Sequence, residues 1–304
     1  MKRFRIKVPA STSNLGPGFD VIGAALKIYN EIEVSVVKQG NVEGPMIEIA
    51  GEGADSLPRG KSNIVWQSMK KVLDLKKKKI DPATIRIKLI NRIPLASGMG
   101  SSAAARLGGI IAGFKLAGIK PSEDEIISLG MRLEGHPDNI VPAFQGGMCV
   151  CAKTSDGIKC LKIPAPRLKA VVCHPDFELA TYKSRRIIPR TLPLEHAVFN
   201  ISRIALFIAA GFTGKYEYFK YGMEDRLHQP SRSGLVPGMQ KVFVSAMRAG
   251  AHGVSLSGAG PSIIALAEAR NASAVSKAMV RKWKQFGICS KCFILDFESS
   301  AVKI

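Results

Sequence analysis

The first 37 residues combine strand periods with loop chemistry, and a further strand period lies at 85–90. Apolar and polar residues alternate at positions 4–8 (F-R-I-K-V), 28–37 and 85–90, which predicts three strands. Between the first two, residues 9–18 (P-A-S-T-S-N-L-G-P-G) combine proline, glycine and small polar residues and predict a loop. An apolar segment follows at 21–25. The chain is therefore expected to open with strands joined by a long loop.

Helical periods lie on both sides of the strand predicted at 85–90. Residues 62–75 place apolar side chains near one face and begin at a serine that can serve as N-cap. A second helix is predicted at 103–114, where apolar residues recur at i, i+4, i+7, i+8 and i+11, with Ser101 or Ser102 as its N-cap. Residues 121–133 predict a third helix that opens on Pro-Ser-Glu.

The second half also mixes both periods. Helices are predicted at 196–210 and 237–249, strands at 147–152 and 169–174, and strand, loop and helix at 253–266. The last segment predicts a helix and then a strand. Because helices and antiparallel-looking strands mix without regular β-α-β alternation, the predicted fold class is α+β.

A segment with two prolines, 162–167 (K-I-P-A-P-R), lies between predicted strands near the middle of the chain. We place a domain boundary near 155–165 and predict an N-terminal domain of residues 1–160 and a C-terminal domain of residues 161–304. With 304 residues, 46% of them hydrophobic, the chain is long enough for two domains of ordinary size.

The chain carries a formal charge of +20, from 44 Lys and Arg against 24 Asp and Glu. Such an excess attracts anionic partners without specifying them. The basic runs at 76–79 and 281–284 have little aromatic interleaving and no nucleic-acid motif is present, so we expect no specific nucleic-acid binding. No apolar run is judged long enough to span a bilayer, and residues 1–10 lack the apolar core of a signal peptide. We therefore expect a soluble cytoplasmic protein without membrane contact.

Six cysteines lie at positions 149, 151, 160, 173, 289 and 292. In a cytoplasmic chain of this size we expect them to be mostly reduced. Cys289 and Cys292 form a C-x-x-C pair, but a structural zinc ion needs about four ligands and the sequence has no second such pair. We expect two thiols at the end of a buried strand.

A glycine-rich segment after the third predicted strand has the chemistry of an anion site. Its sequence at 93–110 is I-P-L-A-S-G-M-G-S-S-A-A-A-R-L-G-G-I. No Gly-Lys-Ser/Thr follows the glycines, which excludes the common phosphate loop. Residues 93–97 separate the glycines from the strand, unlike the first turn of a dinucleotide-binding unit. Glycines nevertheless allow close backbone approach, and the N–H groups and dipole at the start of a helix favour an anion.

Three loops together resemble one family. They are P-A-S-T-S-N-L-G-P-G-F-D at 9–20, P-L-A-S-G-M-G-S-S-A-A at 94–104 and S-G-A-G-P-S at 257–262. In this order they resemble the GHMP small-molecule kinases, and E-G-H-P-D-N at 134–139 and H-Q-P-S-R-S-G-L-V-P-G at 228–238 are similar to the branch that phosphorylates L-homoserine on the way to threonine. The resemblance covers most of the chain. It implies two domains, one similar to the second domain of ribosomal protein S5 and one ferredoxin-like, with the active site between them.

The resemblance implies ATP and Mg²⁺ as cofactors. The phosphates would lie on 94–104, with Gly258 and Gly260 nearby and adenine near Asn63. Ser102 and Glu134 would hold Mg²⁺, a hard cation that takes oxygen ligands. The residues implied on the phosphate loop are Pro94, Leu95, Ala96, Ser97, Gly98, Met99, Gly100, Ser101, Ser102, Ala103 and Ala104.

The resemblance also implies an acceptor site. Asp20 and Asn14 match the positions that hold the amino group of L-homoserine, and Arg185 and Arg232 match those that hold its carboxylate through guanidinium forks. Arg185 is preferred to the neighbouring arginines because Thr-x-x-x-Arg followed by Pro four residues later is the family spacing. Ser231 departs from the family, which usually has a large residue there. The other implied pocket residues are Thr181, His136 and Asn139.

His136, Asp138 and Asn139 are the candidates for a direct catalytic role. A pocket histidine more often donates a hydrogen bond than acts as a base, and no Lys–Asp pair of the kind used by other GHMP branches is found. Phosphoryl transfer through a loose transition state depends mainly on positioning and charge neutralisation. We therefore expect catalysis without a dedicated base.

Two alternatives stay open at this point. One is another GHMP kinase, of mevalonate or shikimate type, although those acceptors have no ammonium group for Asp20. The other is a nucleotide- or nucleic-acid-binding module without catalysis. A homodimer is common in this branch of the family, and the sequence does not decide the oligomeric state.

Overall fold

The computed structural model describes residues 3–38 and 44–304, and it contains two sheets. The strands of the first sheet are β1 (Arg3–Asn14), β2 (Gly18–Val36), β3 (Met46–Gly51), β4 (Ile85–Asn91), β5 (Met148–Thr154) and β6 (Gly157–Ile163). Their order is β3-β4-β2-β5-β6, and β1 pairs with β2. The pair β3–β4 is parallel and the other pairs are antiparallel.

Four helices accompany this sheet. They are α1 (Ile64–Leu75), α2 (Ser101–Ala117), α3 (Glu123–Glu134) and α4 (Pro137–Gln145). Helix α2 packs between α1 and strand β1, and α4 packs on β1 and β2. The apolar stripe predicted for α2 is buried, including Leu107, Ile110 and Phe114. This packing fixes the N-terminal end of α2 beside the ends of β1 and β4.

The strands of the second sheet are β7 (Lys169–Pro175), β8 (Ala251–Leu256), β9 (Ile263–Ala267) and β10 (Ser290–Leu295). The helices of this half are α5 (Thr181–Arg186), α6 (Leu194–Thr213), α7 (Phe219–Gly222), α8 (Gln229–Arg232), α9 (Met239–Arg248) and α10 (Ala269–Lys284). The sheet is wholly antiparallel, with strand order β10-β7-β9-β8. Helices α9 and α10 pack on it, and the indole of Trp283 on α10 is completely buried there.

The mixture of two sheets with helices confirms the predicted α+β class. Strand β6 ends at Ile163 and strand β7 begins at Lys169, so the proline-containing segment connects the two sheets. The division into residues 1–160 and 161–304 stays a prediction.

The loop predicted at 9–18 is wrong for most of its length. Strand β1 continues to Asn14, and β2 begins at Gly18 and unites the predicted segments 21–25 and 28–37. Residues 10–13 pair with 23–26 after a register shift at Pro9/Ala10. Long-range pairing thus overrides the local preference of small polar residues for turns.

The serine N-caps predicted for the first two helices are also wrong, and so is the helix predicted at the end of residues 253–266. Asn63 caps α1, and Gly100, in the left-handed region, precedes α2. The helix expected at the end of 253–266 is strand β9, because this apolar run pairs on both sides with β7 and β8. Short apolar runs do not distinguish a buried strand from a helix.

Helix α6 overturns the expectation that no apolar run could span a bilayer. By length and composition its 20 residues are sufficient, with a mean hydropathy of 1.3, although such a helix is weak evidence for a membrane protein. One face packs on the protein through Asn200, Phe207 and Ala210, and the opposite face is exposed.

The cysteines are mostly reduced, as expected, with one exception. Cys151 and Cys160, directly opposite each other on β5 and β6, form a disulfide, and the other four are free. The expectation that Cys289 and Cys292 lie at the end of a buried strand is wrong, because Cys289 is exposed just before β10 and Cys292 lies within this edge strand, opposite Cys173.

Candidate active site

The glycine-rich segment forms a tight loop between β4 and α2. Gly98 and Gly100 have φ angles of 76° and 70°, in the left-handed region that favours glycine. A Cβ atom on Gly98 would lie 2.1 Å from the Ser257 carbonyl oxygen, and one on Gly100 would lie 2.0 Å from Ser11 Oγ. Both positions therefore require glycine for space as well as for conformation.

Strand β1 and the turn between β8 and β9 hold this segment by hydrogen bonds. The Ser11 amide donates to the Met99 carbonyl at 3.1 Å, and Ser257 Oγ donates to the Gly98 carbonyl at 2.7 Å. The Ser262 amide donates to the Ser97 carbonyl at 3.2 Å. No side chain caps the start of α2, so its first amide groups are available to an anion.

Ser102 and Glu134 come together at the start of α2. Ser102 Oγ donates to Glu134 Oε2 at 3.1 Å, and Arg106 Nε donates to the same oxygen at 2.7 Å. A hydroxyl and a carboxylate beside a helix N-terminus are suitable ligands for a hard cation that carries phosphate oxygens. The two predicted metal ligands therefore fit Mg²⁺, with Arg106 holding the carboxylate in place.

A cavity of about 90 Å³ joins this loop to the predicted acceptor residues. It is lined by Ser13, Asn14, Asp20, Ala96, Ser97, Gly98, Gly100, Ser101, Ser102, Glu134, His136, Asp138, Asn139, Thr181, Arg185, Arg232, Gly258 and Ala259. Every predicted acceptor and catalytic residue is in this set. A larger cleft, of about 610 Å³ and lined by residues such as Lys27 and Arg167, contains none of them.

Asp20 and Arg185 form a bidentate ion pair across this cavity. Arg185 Nη1 lies 2.9 Å from Asp20 Oδ2, and Arg185 Nη2 lies 2.5 Å from Asp20 Oδ1. Burial lowers the pKa of Arg185, but the hydrogen bonds and charge of Asp20 outweigh it and raise the pKa. Asn14 supports this arrangement, because its Oδ1 accepts from the Asp20 amide at 3.2 Å and its Nδ2 donates to the Gly258 carbonyl at 2.8 Å.

His136, Asp138 and Asn139 lie at the start of α4. His136 Nδ1 is 2.5 Å from Asp138 Oδ1, and the buried Asp138 is 1% exposed. Burial acts to lower the pKa of His136, yet hydrogen bonding to Asp138 raises it overall. Asn139 is bound to β1, since it accepts from Ser11 Oγ at 2.8 Å and donates to Ser13 Oγ at 3.1 Å. The side-chain ligand atoms of Asp20, His136 and Asp138 lie within 4.8 Å of one another, so the two carboxylates concentrate negative charge on this side of the cavity.

Arg232 is almost fully buried at the other side of the cavity, with 1% exposure. Burial, and then repulsion from Arg185, lower the pKa of Arg232 to about 10. Its guanidinium donates to the carbonyls of Ser184 and Gly258 and to His228. The C-terminal half thus brings Arg232 and Arg185 to the cavity from two helices, α8 and α5.

Some predicted cofactor residues lie outside the cavity lining: Asn63, Pro94, Leu95, Met99, Ala103, Ala104 and Gly260. Asn63 accepts from the Val65 amide at 2.9 Å and donates to the Pro58 carbonyl at 2.7 Å. A contact with adenine would therefore compete with its role as a helix cap. Its assignment to adenine stays a prediction, as do the roles of the other site residues.

His228, Asp225 and the serines of β1 also contribute to the site, although the sequence alone predicts no role for them. His228 is part of the H-Q-P-S-R motif, so the signal was present, but its contact with Arg232 is visible only in the fold. The serines at 11 and 13 fell in the segment predicted as a loop.

Comparisons with known proteins agree with this geometry. A family model described as GHMP kinases N terminal domain matches residues 63–147, and one described as GHMP kinases C terminal matches residues 209–285. The chain therefore belongs to the GHMP kinase family.

Several similar proteins within that family are homoserine kinases. The homoserine kinase of Carboxydothermus hydrogenoformans is 44% identical over 93% of this chain and 90% of its own. That of Caldicellulosiruptor bescii is 45% identical over 86% of this chain and 84% of its own. The crystal structure of homoserine kinase from Cytophaga hutchinsonii superposes with a TM-score of 0.87 at 29% identity, covering 100% of this chain and 98% of that one. The Lactococcus lactis galactokinase structure, at 16% identity and a TM-score of 0.74, shares the fold.

Proposed function

We propose that this protein is an ATP-dependent kinase that transfers a phosphoryl group to the hydroxyl of L-homoserine, giving O-phospho-L-homoserine for threonine biosynthesis. The observation that carries the proposal is the single cavity in which the anion-binding start of α2 meets Asp20, Arg185 and Arg232. Homoserine kinases that are 44% and 45% identical over most of the chain support the choice of acceptor.

The acceptor is a zwitterion, and the pocket offers charges of both signs. Asp20 and Asn14 would bind the ammonium group, and Arg185 and Arg232 would bind the carboxylate. Because Asp20 and Arg185 bind each other in the structure, the entering amino acid would exchange one ion pair for two. Thr181, His136 and Asn139 would position the remaining atoms, including the hydroxyl.

The phosphates of ATP would lie on 94–104 and at the start of α2, near Gly258 and Gly260. Backbone amides at a helix N-terminus stabilise phosphate without needing a charged side chain. Ser102 and Glu134 would hold Mg²⁺, which neutralises phosphate charge when bound. Asp138 is bound to His136, so we propose that it orients the imidazole and that no dedicated base is needed.

A coupled ADP-release assay with L-homoserine, mevalonate, shikimate or no acceptor tests the function. We expect turnover with L-homoserine alone, since only this acceptor offers an ammonium group to Asp20 and a carboxylate to two arginines. Turnover with mevalonate or shikimate would indicate another GHMP kinase. An absence of turnover with all three would support a binding module without catalysis.

We also propose a cytoplasmic homodimer that contacts no membrane or specific nucleic acid. The exposed face of α6 presents Leu194, Val198, Ile201 and Phe212, none of them charged, on a chain of charge +20. Two like-charged copies associate more easily through an uncharged apolar face. Analytical ultracentrifugation should show a dimer for the parent and a monomer for Ile201→Asp. Binding of the parent to lipid vesicles would contradict the absence of membrane contact.

A further inference from the structure

His228 lies outside the cavity lining and contacts Arg232, which is part of it. The imidazole is completely buried, with an exposure of 0%. One ring nitrogen, Nδ1, is 2.9 Å from Arg232 Nη1, and the other, Nε2, is 2.8 Å from the Gly16 carbonyl oxygen. The ring therefore connects an arginine of the C-terminal half to the turn between β1 and β2.

The partners of the two nitrogens determine the tautomer. A carbonyl oxygen only accepts hydrogen bonds, so Nε2 carries the proton and donates to Gly16. A guanidinium only donates, so Nδ1 must be the unprotonated acceptor for Arg232. Burial lowers the pKa of His228 and the charge of Arg232 lowers it further, while Asp225 opposes them, so the ring is neutral at neutral pH.

Asp225 fixes the backbone that carries this ring. Its completely buried carboxylate accepts from the amides of Leu227, His228 and Gln229 at 3.0, 2.9 and 2.6 Å. The side chain of Asn200 on α6 donates to it at 2.6 Å. A carboxylate that accepts several backbone amides holds its turn rigidly, so the position of His228 is set before any substrate arrives.

The guanidinium of Arg232 is consequently held on two of its three nitrogens. Nε donates to the Ser184 carbonyl at 3.2 Å, and Nη1 donates to His228 and, at 3.1 Å, to the Gly258 carbonyl. Within residues 3–38 and 44–304, Nη2 has no hydrogen-bond acceptor, and Arg232 lines the cavity. Because Nε and Nη1 are bound to protein groups, the N–H groups of Nη2 remain available to a ligand.

We propose that His228 is a positioning residue for the acceptor carboxylate. Its unprotonated Nδ1 orients the guanidinium of Arg232 so that Nη2 faces the bound carboxylate, and its Nε2–H ties this orientation to Gly16. The inference rests on the proposed function. A purely structural histidine would affect every acceptor equally, whereas a positioning residue affects only acceptors that have a carboxylate.

Two substitutions separate the two ring nitrogens. His228→Gln retains a donor that reaches towards Gly16 and loses the acceptor at Nδ1, whereas His228→Asn retains an acceptor near Nδ1 and loses the contact with Gly16. His252→Gln, outside the pocket, is the matched control for a histidine-to-glutamine change. The substrates are L-homoserine and 3-aminopropan-1-ol, which has the amine and the hydroxyl and lacks the carboxylate.

We expect His228→Gln to lower kcat/KM for L-homoserine about 10- to 50-fold, mainly by raising KM, because a hydrogen bond to a charged group is lost. His228→Asn should lose less than about 5-fold, and the KM for ATP should not change in either variant. With 3-aminopropan-1-ol, measured as a substrate and as an inhibitor of L-homoserine turnover, all variants should resemble the parent. His228→Gln should add nothing to Arg232→Met in the double variant.

Three results would overturn the inference while leaving the proposed function intact. These are equal losses on both acceptors, an undiminished kcat/KM for His228→Gln, and an additive effect in the double variant. A parent enzyme that does not phosphorylate L-homoserine would instead overturn the proposed function, and the inference with it. If His228→Gln does not fold, His228→Asn tests the inference instead. It should retain activity with L-homoserine to within about 5-fold, and an equal loss with L-homoserine and 3-aminopropan-1-ol would overturn the inference.

Discussion

The loop at 94–100 and the acceptor residues face the same cavity, yet they are built from different parts of the chain. The loop presents backbone amides and owes its shape to Gly98 and Gly100. The acceptor side presents charged side chains, Asp20, Arg185 and Arg232, that are already paired with protein groups. Shape therefore limits the first region and charge balance limits the second, so substitutions in each should fail for different reasons.

The largest effect is expected from Gly98→Ala. The added Cβ would collide with the Ser257 carbonyl oxygen, and alanine is strained at a φ of 76°. The loop must then move by more than the geometry of phosphate binding permits, and kcat/KM for ATP should fall about 10³-fold or more. Gly60→Ala is the matched control, because nothing lies within 4 Å of its Cβ position. Steady-state kinetics that show equal losses for both variants would contradict this account.

Arg185→Met should affect the other region. It removes a carboxylate ligand and leaves Asp20 without its partner, so kcat/KM for L-homoserine should fall about 10²-fold. The KM for ATP should stay within about 2-fold of the parent. Arg186→Met, the adjacent arginine outside the cavity lining, is the control. If Arg186→Met showed the greater loss, the spacing argument that selected Arg185 would be wrong.

Glu134 lies at the boundary between the two regions, and the substitution Glu134→Gln tests its role. It keeps the size of the side chain but removes the charge that faces Ser102 and Arg106. We expect a loss in kcat of about 10²-fold at low Mg²⁺, recovered in part when the Mg²⁺ concentration is raised. A titration of activity with Mg²⁺ measures this, and an unchanged Mg²⁺ dependence would exclude Glu134 as a ligand.

Asp138→Asn tests whether the acceptor side contains a base. Because positioning dominates phosphoryl transfer, kcat should fall only about 10-fold, through loss of the charged partner of His136. The pH–rate profile should keep its shape. A loss on the order of 10³-fold in kcat, with unchanged substrate affinity, would identify Asp138 as a general base.

The smallest effect concerns stability and pH. The pKa of His136 is raised in the fold, against the effect of burial, by hydrogen bonding to Asp138. Its stabilising contribution is therefore complete below the unfolded pKa, about 6.5, and is lost as the pH rises through the raised folded value. The parent should melt about 2–4 °C above His136→Gln at pH 6 and closer to it at pH 9. A difference that grows with pH in calorimetry would refute this assignment.

The sequence predicted the elements with a periodic pattern of apolar residues and the site residues that belong to recognisable motifs. Periods in the apolar residues located helices such as α2 and α6, and the motifs of the resembled family, including those at 9–20, 134–139 and 228–238, indicated acceptor residues that line the cavity. It missed the strand character of residues 9–14, because that depends on pairing with residues 18–29 of the next strand, whereas local composition favours a turn.

The sequence also did not show which distant side chains pair with each other. Asp20 and Arg185 were assigned to opposite ends of the substrate, and the fold joins them to each other. The support of Arg232 by His228 and Asp225 lies within residues 225–232, but the contact of His228 with Gly16, which ties this segment to the turn between β1 and β2, is formed only in the fold. A sequence thus indicates which charges a site has, while the fold decides which of them are already neutralised.

The ion pair between Asp20 and Arg185 has a consequence for ionic strength. A zwitterion that replaces this pair brings equal charges of both signs, so its entry leaves the net charge of the pocket unchanged. Salt should therefore have little effect on the affinity for the amino acid, since screening weakens attraction and repulsion together. ATP is an anion approaching a protein of charge +20, and its association should slow as salt is added. The two substrates of one cavity would then respond to the ionic medium in different ways.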